Sequence, residues 1–193
     1  MSMARLIHLL RHGPPRRTGL LLGHVDEPPL DADCPHMRQQ VEGIAIASIV
    51  TSDLTRTALQ AARLADHRQV PLTTDPRWRE LNFGAWDGLA SSDIDAEAMA
   101  RFWDDPDGHA PPRGERWCDL RLRIAAALEE IPDGALIVTH AGAMRAAISV
   151  LTGLDHRQVW ALDLPYRALL SLRIWSGDAI AGQIVGLRAD QHP

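Results

Sequence analysis

Short apolar runs bounded by Gly, Pro and Asp alternate with amphipathic stretches along the chain. Residues 4–10 are rich in Leu and Ile and stop before Gly13-Pro14-Pro15, which predicts a buried strand and a turn. A Pro/Gly-rich loop over 13–35 is long enough to be functional. A short helix is expected over 36–44 and a second buried strand over 46–51. Ser52-Asp53 then offers N-cap chemistry for a helix carrying Ala58, Ala61, Ala62 and Leu64 at helical spacing. A brief strand at 72–74 leads into the Trp78-to-Gly88 segment. Residues 91–113 are helical through Trp103 and then rich in Asp, Pro and Gly, and read as an excursion over the strand ends. Residues 115–130 are strongly amphipathic, with Leu120, Ile124, Ala127 and Leu128 on one face. Pro132-Asp133-Gly134 turns the chain into the clearest buried strand, 135–139, and 143–151 is again helical. Runs at 169–175 and 180–187 flank Ser176-Gly177-Asp178 and predict a terminal hairpin. The alternation is that of an α/β fold with a largely parallel sheet and an antiparallel edge. There is no repeat or linker, and 193 residues suit a single domain over 1–193.

Composition narrows the chemistry. With 20 basic against 25 acidic residues the net charge is −5, which offers no general affinity for nucleic acid. Every basic residue is Arg, and the missing Lys excludes a Schiff base and a Walker-type phosphate site. Cys34 and Cys118 lack a CxxC partner; a buried, reduced thiol is expected at each. The nine histidines form no HxxxH or HxH pair within one predicted element, so a metal-dependent hydrolase is the weaker reading and no metal or cofactor is expected. The apolar stretch at 6–10 is too short for a signal peptide and no run reaches membrane-spanning length, so a cytoplasmic protein with no membrane partner is expected. Trp86 and Trp103 are candidates for lining a substrate pocket, with core packing the alternative for each.

Three predicted strands end in, or lead into, unusual polar residues. The first ends in Arg11-His12 and the 135–139 strand in His140. The second runs into Ser52-Asp53-Leu54-Thr55-Arg56, placing Arg56 in the first turn of a helix. Open α/β sheets bind ligands beyond the carboxyl ends of their strands. A helix N-terminus already attracts anions, so a cation there is out of place for stability alone, and a bound anion resolves it. Singly, Arg56 could be a surface residue and His140 a satisfied strand-end histidine. Together, two arginines and two histidines favour a pocket for a dianionic phosphoryl group.

These residues fall in motifs. Leu10-Arg11-His12-Gly13 resembles the RHG signature of the histidine phosphatase, or phosphoglycerate-mutase-like, superfamily. The stretch 52–62 is similar to its second arginine motif, 80–88 (Glu-Leu-Asn-Phe-Gly-Ala-Trp-Asp-Gly) to its acidic motif, and 138–142 (Val-Thr-His-Ala-Gly) to its second histidine motif. Gly23 to Leu30 resembles the family's Gly-x-x-Asp-x-Pro-Leu loop with one extra Pro. Gly114-Glu115 is similar to a Gly-Glu-Ser motif, with Arg116 at the Ser position. The resemblance implies a three-layer α/β/α sandwich and a covalent phosphohistidine mechanism without metal. By position, His12 is the nucleophile, Arg11, Arg56 and His140 clamp the phosphoryl oxygens, and Glu80 is the proton donor and later the base. Thr18, Gly23 and Ala141 are the further phosphate contacts expected by position. The family often continues RHG-x-Thr-x-x-Asn; here Pro15 and Thr18 stand at the Thr and Asn positions, which leaves the outer phosphate contacts open.

The short chain and its Asn-Phe-Gly-x-Trp-Asp-Gly run resemble the small phosphatases, among them the α-ribazole phosphatases of cobalamin synthesis. The expected partner is a small phosphorylated substrate, and the expected state is a monomer or homodimer. A broad sugar or nucleotide phosphatase, a mutase and a non-catalytic anion-binding protein on the same fold are the alternatives. A mutase needs a second anion site that the sequence does not reveal, and a non-catalytic protein would have no need of both His12 and Glu80.

Overall fold

The computed structural model describes residues 4–177 and 179–189. Six strands form one sheet in the order β3-β2-β4-β1-β5-β6. They are β1 (Arg5–Arg11), β2 (Ser48–Thr51), β3 (Leu72–Thr74), β4 (Ala135–Thr139), β5 (Leu169–Trp175) and β6 (Ala181–Arg188). β1, β2, β3 and β4 run parallel, and β5 is antiparallel to both β1 and β6. The predicted antiparallel edge is therefore the β5–β6 hairpin; Asp178 of its expected turn lies outside the described residues, as does His192.

Strand alternation sorts the core into two layers. Ile7 and Leu9 of β1, Ile137 of β4 and Leu170 and Leu172 of β5 face helices α4 (Trp117–Glu130) and α5 (Ala141–Thr152). Leu10, Ile49, Leu136, Val138 and Leu169 face the other way, against α1 (Pro35–Gln40) and α2 (Thr55–Arg68). Burial on both faces is why the central strands read as continuous apolar runs rather than as alternating ones. The α/β/α sandwich expected for the chain is the one it adopts.

Three local expectations change. Cys118 is exposed, because it falls on the solvent side of α4 while Trp117, Leu120 and Ile124 take the core face; Cys34 is buried as expected. α5 begins at Ala141, two residues before the apolar pattern suggests, so His140 is itself the N-cap residue. A further short helix, α6 (His156–Trp160), follows α5, opened by a capping box in which Asp155 accepts from Gln158 N–H and the Gln158 side chain accepts from Asp155 N–H. The excursion over 91–113 contains α3 (Ala96–Asp104), whose Phe102 enters the core beside Phe83 and Trp86. Among the described residues no helix is long and apolar enough to cross a membrane.

Candidate active site

The parallel register aligns the carboxyl ends of β1, β4 and β2: Arg11 pairs with Thr139, and Thr51 with Val138. His12, His140 and Ser52, each one residue past its strand, therefore emerge on one edge. His12 is buried, and its backbone N–H donates to Thr139 O at 3.0 Å, closing the gap between β1 and β4. Its Nδ1 lies 2.6 Å from the carbonyl of Gly13. A carbonyl can only accept, so Nδ1 carries the proton and Nε2 holds the free lone pair. Burial, then the positive fields of Arg11 and Arg56, push its pKa well below the ordinary 6.5, so the ring is neutral at pH 7. Gln60 of α2 locks this turn, accepting from Gly13 N–H at 2.8 Å and donating to Asp31 O at 2.8 Å.

Arg56, in the first turn of α2, is fully buried. Its guanidinium donates to the carbonyls of Val25 (2.9 Å), Leu22 (3.0 Å) and Gly23 (2.6 Å), and its Nε to Nδ1 of His140 at 3.3 Å. An arginine Nε–H can only donate, so Nδ1 of His140 accepts and Nε2 carries the proton, which goes to Ser52 Oγ at 2.9 Å. Ser52 is bonded in turn to Thr57 Oγ1 at 2.6 Å. His140 is also held neutral, its pKa driven well below 6.5 by burial first and Arg56 next. The rings of His12 and His140 stand edge to face with centroids 5.0 Å apart. Arg11 stacks its guanidinium over Tyr166 at 4.1 Å and donates to Leu164 O at 2.6 Å. Its Nε is buried without a hydrogen-bond partner.

The loop facing Arg56 is held by Asp87, whose carboxylate accepts from the backbone N–H groups of Gly23, His24 and Val25. A side chain at position 23 would meet Leu81 O at 2.4 Å and Asp87 Oδ2 at 2.9 Å, so only glycine fits there. Asp26, next in the loop, accepts from Thr55 N–H and Oγ1–H and ties the loop to the start of α2.

Glu80 reaches the same edge from the segment after the 3-10 turn Pro76–Trp78. Its Oε2 accepts from Gly142 N–H at 3.0 Å, at the N-terminus of α5, and its Oε1 from Leu81 N–H at 2.8 Å. Its charge is felt by both Arg11 and Arg56, where it opposes the lowering of pKa caused by burial. Arg123 of α4 sets the position of this segment: it donates to the carbonyls of Arg77, Arg79 and Glu80 and to both oxygens of Glu115. Glu115 also accepts from Asn82 N–H at 3.2 Å.

The structure thus brings Arg11, His12, Arg56, Glu80 and His140 to one edge. Ala141 opens α5 there and lines the adjoining cavity. Gly23 is nearby, with its N–H engaged by Asp87 and its carbonyl by Arg56. Thr18 stands exposed in the loop between β1 and α1. Beside Glu80 opens a cavity of about 80 Å³ that is continuous with solvent. Trp103, Trp117 and Trp160 line it; Trp86 does not, packing in the core against Phe102 instead. Among the described residues no group of three or more His, Cys, Asp or Glu side chains is placed to hold a metal ion. Ser52, expected to offer N-cap chemistry for α2, instead holds His140, and the N-cap residue is Leu54, with no side-chain cap; the parts played by Asp87 and Arg123 emerge only in the fold. Asp87 and Ser52 sit inside motif stretches, whereas Arg123 looks like any residue on the polar face of a helix.

Known proteins share this arrangement of chain. The model of the histidine phosphatase superfamily, branch 1, matches residues 7–184. A probable phosphoglycerate mutase, GpmB, from Yersinia pestis is 30% identical over 77% of this chain and 75% of its own length. The counterpart from Yersinia enterocolitica is 35% identical over 60% of this chain, a match spanning 58% of that relative. Among solved structures, a mycobacterial glucosyl-3-phosphoglycerate phosphatase superposes with a TM-score of 0.82 at 24% identity, covering 95% of this chain and 98% of its own. A putative α-ribazole-5'-P phosphatase from Escherichia coli superposes at 0.79 with 21% identity, covering 94% and 96%. YhfR of Bacillus stearothermophilus superposes at 0.81 with 26% identity, covering 94% and 96%.

Proposed function

The chain belongs to branch 1 of the histidine phosphatase superfamily, and from that premise we propose that it is a phosphomonoesterase working through a phosphohistidine on a small phosphorylated metabolite. The observation that carries the reading is the state of His12. Its proton is committed to the Gly13 carbonyl, its free lone pair is at Nε2, and two arginines stand beside it. Nε2 attacks phosphorus beside Arg11 and Arg56, while His140, its ring nitrogens held by Arg56 and Ser52, packs against His12. The fixed positive charge lowers the repulsion between nucleophile and dianion and stabilises the equatorial oxygens as the bond to the leaving oxygen breaks. Glu80 serves as the general acid, giving a proton to the departing alkoxide. The resulting carboxylate then takes a proton from the water that attacks phosphohistidine, releasing orthophosphate and restoring neutral His12.

The arginines supply the charge that a metal supplies elsewhere, so this cycle has no metal-dependent step. α-Ribazole phosphate, other sugar phosphates and nucleoside monophosphates are the substrates to test first, in a cytoplasmic setting and with the chain as one domain. The similarity to probable phosphoglycerate mutases favours a second reading, phosphoryl exchange on phosphoglycerate. A mutase must hold a doubly phosphorylated intermediate. The cavity beyond Glu80 offers one cation, Arg145, among aromatic and aliphatic walls, which is poor provision for a second phosphate. Purified protein incubated with a panel of phosphate monoesters should release orthophosphate. Interconversion of phosphoglycerate isomers primed by a bisphosphate, without net release, would establish the mutase instead.

A further inference from the structure

The cavity next to Glu80 is built unlike the phosphoryl site. Its walls are Leu81, Phe83, Phe102, Trp103, Trp160 and their neighbours, and its polar side chains are Glu80 and Arg145. Trp103 and Trp160 meet edge to face at 5.2 Å, and Trp160 lies 5.3 Å from Trp117. Phe102 and Trp117 are buried behind them, while Trp103 is 41% exposed and forms the rim. Arg145 is on α5, one turn beyond Ala141. Its Nη2 donates to Leu162 O at 3.1 Å, and its Nε is buried without a hydrogen-bond partner.

We infer that this cavity receives the leaving group of the substrate, and that the leaving alcohol carries a planar aromatic ring with a hydrogen-bond acceptor for Arg145. The inference rests on the phosphomonoesterase reading and names its substrate class. A free sugar ring would bring several hydroxyls into walls whose hydrogen-bonding side chains are Arg145, Glu80 and the indole N–H groups of three tryptophans, and each hydroxyl left unpaired would lose its hydration without return. A flat ring loses nothing in such walls and gains edge and face contacts with Trp103 and Trp160. An acceptor on that ring pairs with the guanidinium of Arg145 where it lines the cavity, and the guanidinium adds a cation–π contact where it lies over the ring face. Glu80, shared by the cavity and the phosphoryl site, then stands between the ring and the scissile oxygen, where a proton donor to the leaving group belongs.

The test compares kcat/KM for naphthylmethyl phosphate, carboxybenzyl phosphate and benzyl phosphate with that for glycerol phosphate and glucose 6-phosphate. The wild type should favour the arylmethyl esters by about tenfold or more, a factor in keeping with aromatic contacts. Trp103→Ala, at the exposed rim, should raise KM for naphthylmethyl phosphate about tenfold with kcat little changed, because the lost contact is present equally before and during reaction. Arg145→Met should abolish the preference for carboxybenzyl over benzyl phosphate, and Arg145→Lys should restore part of it. Equal kcat/KM for arylmethyl and sugar esters, or a Trp103→Ala enzyme with unchanged KM for naphthylmethyl phosphate, would overturn the inference while leaving the phosphatase reading intact. Failure of the wild type to hydrolyse any ester, together with failure to bind orthovanadate, would remove the phosphatase reading and this inference with it.

Discussion

The backbone N–H of Gly142 donates to Oε2 of Glu80 at 3.0 Å, and a Cβ at position 142 would lie 2.0 Å from Oε1 of the same carboxylate. The proposed proton donor is thus seated on the first turn of α5, in a space that exists because residue 142 has no side chain. Gly142→Ala therefore has opposed effects. Ala favours the helix by about 1 kcal/mol over Gly, while its methyl group displaces Glu80, the flexible partner. The expected enzyme melts no lower than wild type and loses about 10²-fold in kcat, the scale of a misplaced catalytic group. A stable variant with full activity would show that Glu80 need not sit on α5.

Asp87 holds the backbone of Gly23, His24 and Val25, and Gly23 and Val25, with Leu22, supply the carbonyls that orient Arg56. With its carboxylate committed in this way, Asp87 is a positioning residue. Asp87→Ala should lower kcat by about 10²-fold, and by the same factor for alkyl and aryl esters, since loss of the clamp is blind to the leaving group. A selective loss on alkyl esters would make Asp87 a proton donor instead.

Arg56 makes four hydrogen bonds through a planar fork. Arg56→Ala should cost about 10²–10³ in kcat, as loss of a transition-state donor does. Arg56→Lys should recover little of it, because an ammonium cannot reach three carbonyls and a ring nitrogen from one rigid plane. Steady-state kinetics on both variants decides this, and a fully active Arg56→Lys enzyme would refute the need for the planar fork.

Most of this site was legible in the sequence, and what escaped has a physical reason. Arg11, His12, Arg56 and His140 announce themselves because a polar residue directly after an apolar strand, or a cation at a helix start, has no packing reason to be there. Arg123 gives no such sign: its partners, the carbonyls of 77, 79 and 80, are backbone atoms more than forty residues away in the chain. α6 is five residues long, too short for periodicity to register, yet Asp155 and Gln158 spelled its capping box. The apolar pattern starts α5 two residues late because Gly142, which seats Glu80, interrupts it. Trp86 and Trp103 looked alike in sequence; Trp86 turns into the core against Phe102 and only Trp103 reaches the cavity.

Burial lowers the pKa of His8, His12, His24 and His140 below 6.5. Below about pH 6.5 the unfolded chain binds protons at these positions that the folded chain does not, so unfolding gains protons and stability falls as pH falls. Tm should be constant above about pH 7 and decline steadily from about pH 6.5 to 5. His12 itself stays neutral across that window in the folded enzyme, so the rate of phosphoenzyme formation should not drop with an apparent pKa near 6.5. A burst rate halved at pH 6.5 would place the proton on His12.

Glu80→Gln keeps shape and a donor but cannot transfer a proton. It should slow phosphoenzyme formation from alkyl phosphates by about 10² or more, and far less from p-nitrophenyl phosphate, whose phenolate leaves unaided. Pre-steady-state bursts separate this step from hydrolysis of the intermediate. Equal slowing for both substrates would mean that Glu80 shapes the pocket and that the acid lies elsewhere.

The central claim is that the free lone pair of His12 becomes the bond to phosphorus. Wild-type enzyme mixed with substrate, quenched in base during the burst and digested for mass spectrometry, should carry one base-stable, acid-labile phosphate on the peptide containing His12, and His12→Ala should carry none and turn over at background. Phosphate on any other residue, or an active His12→Ala enzyme, would contradict the account.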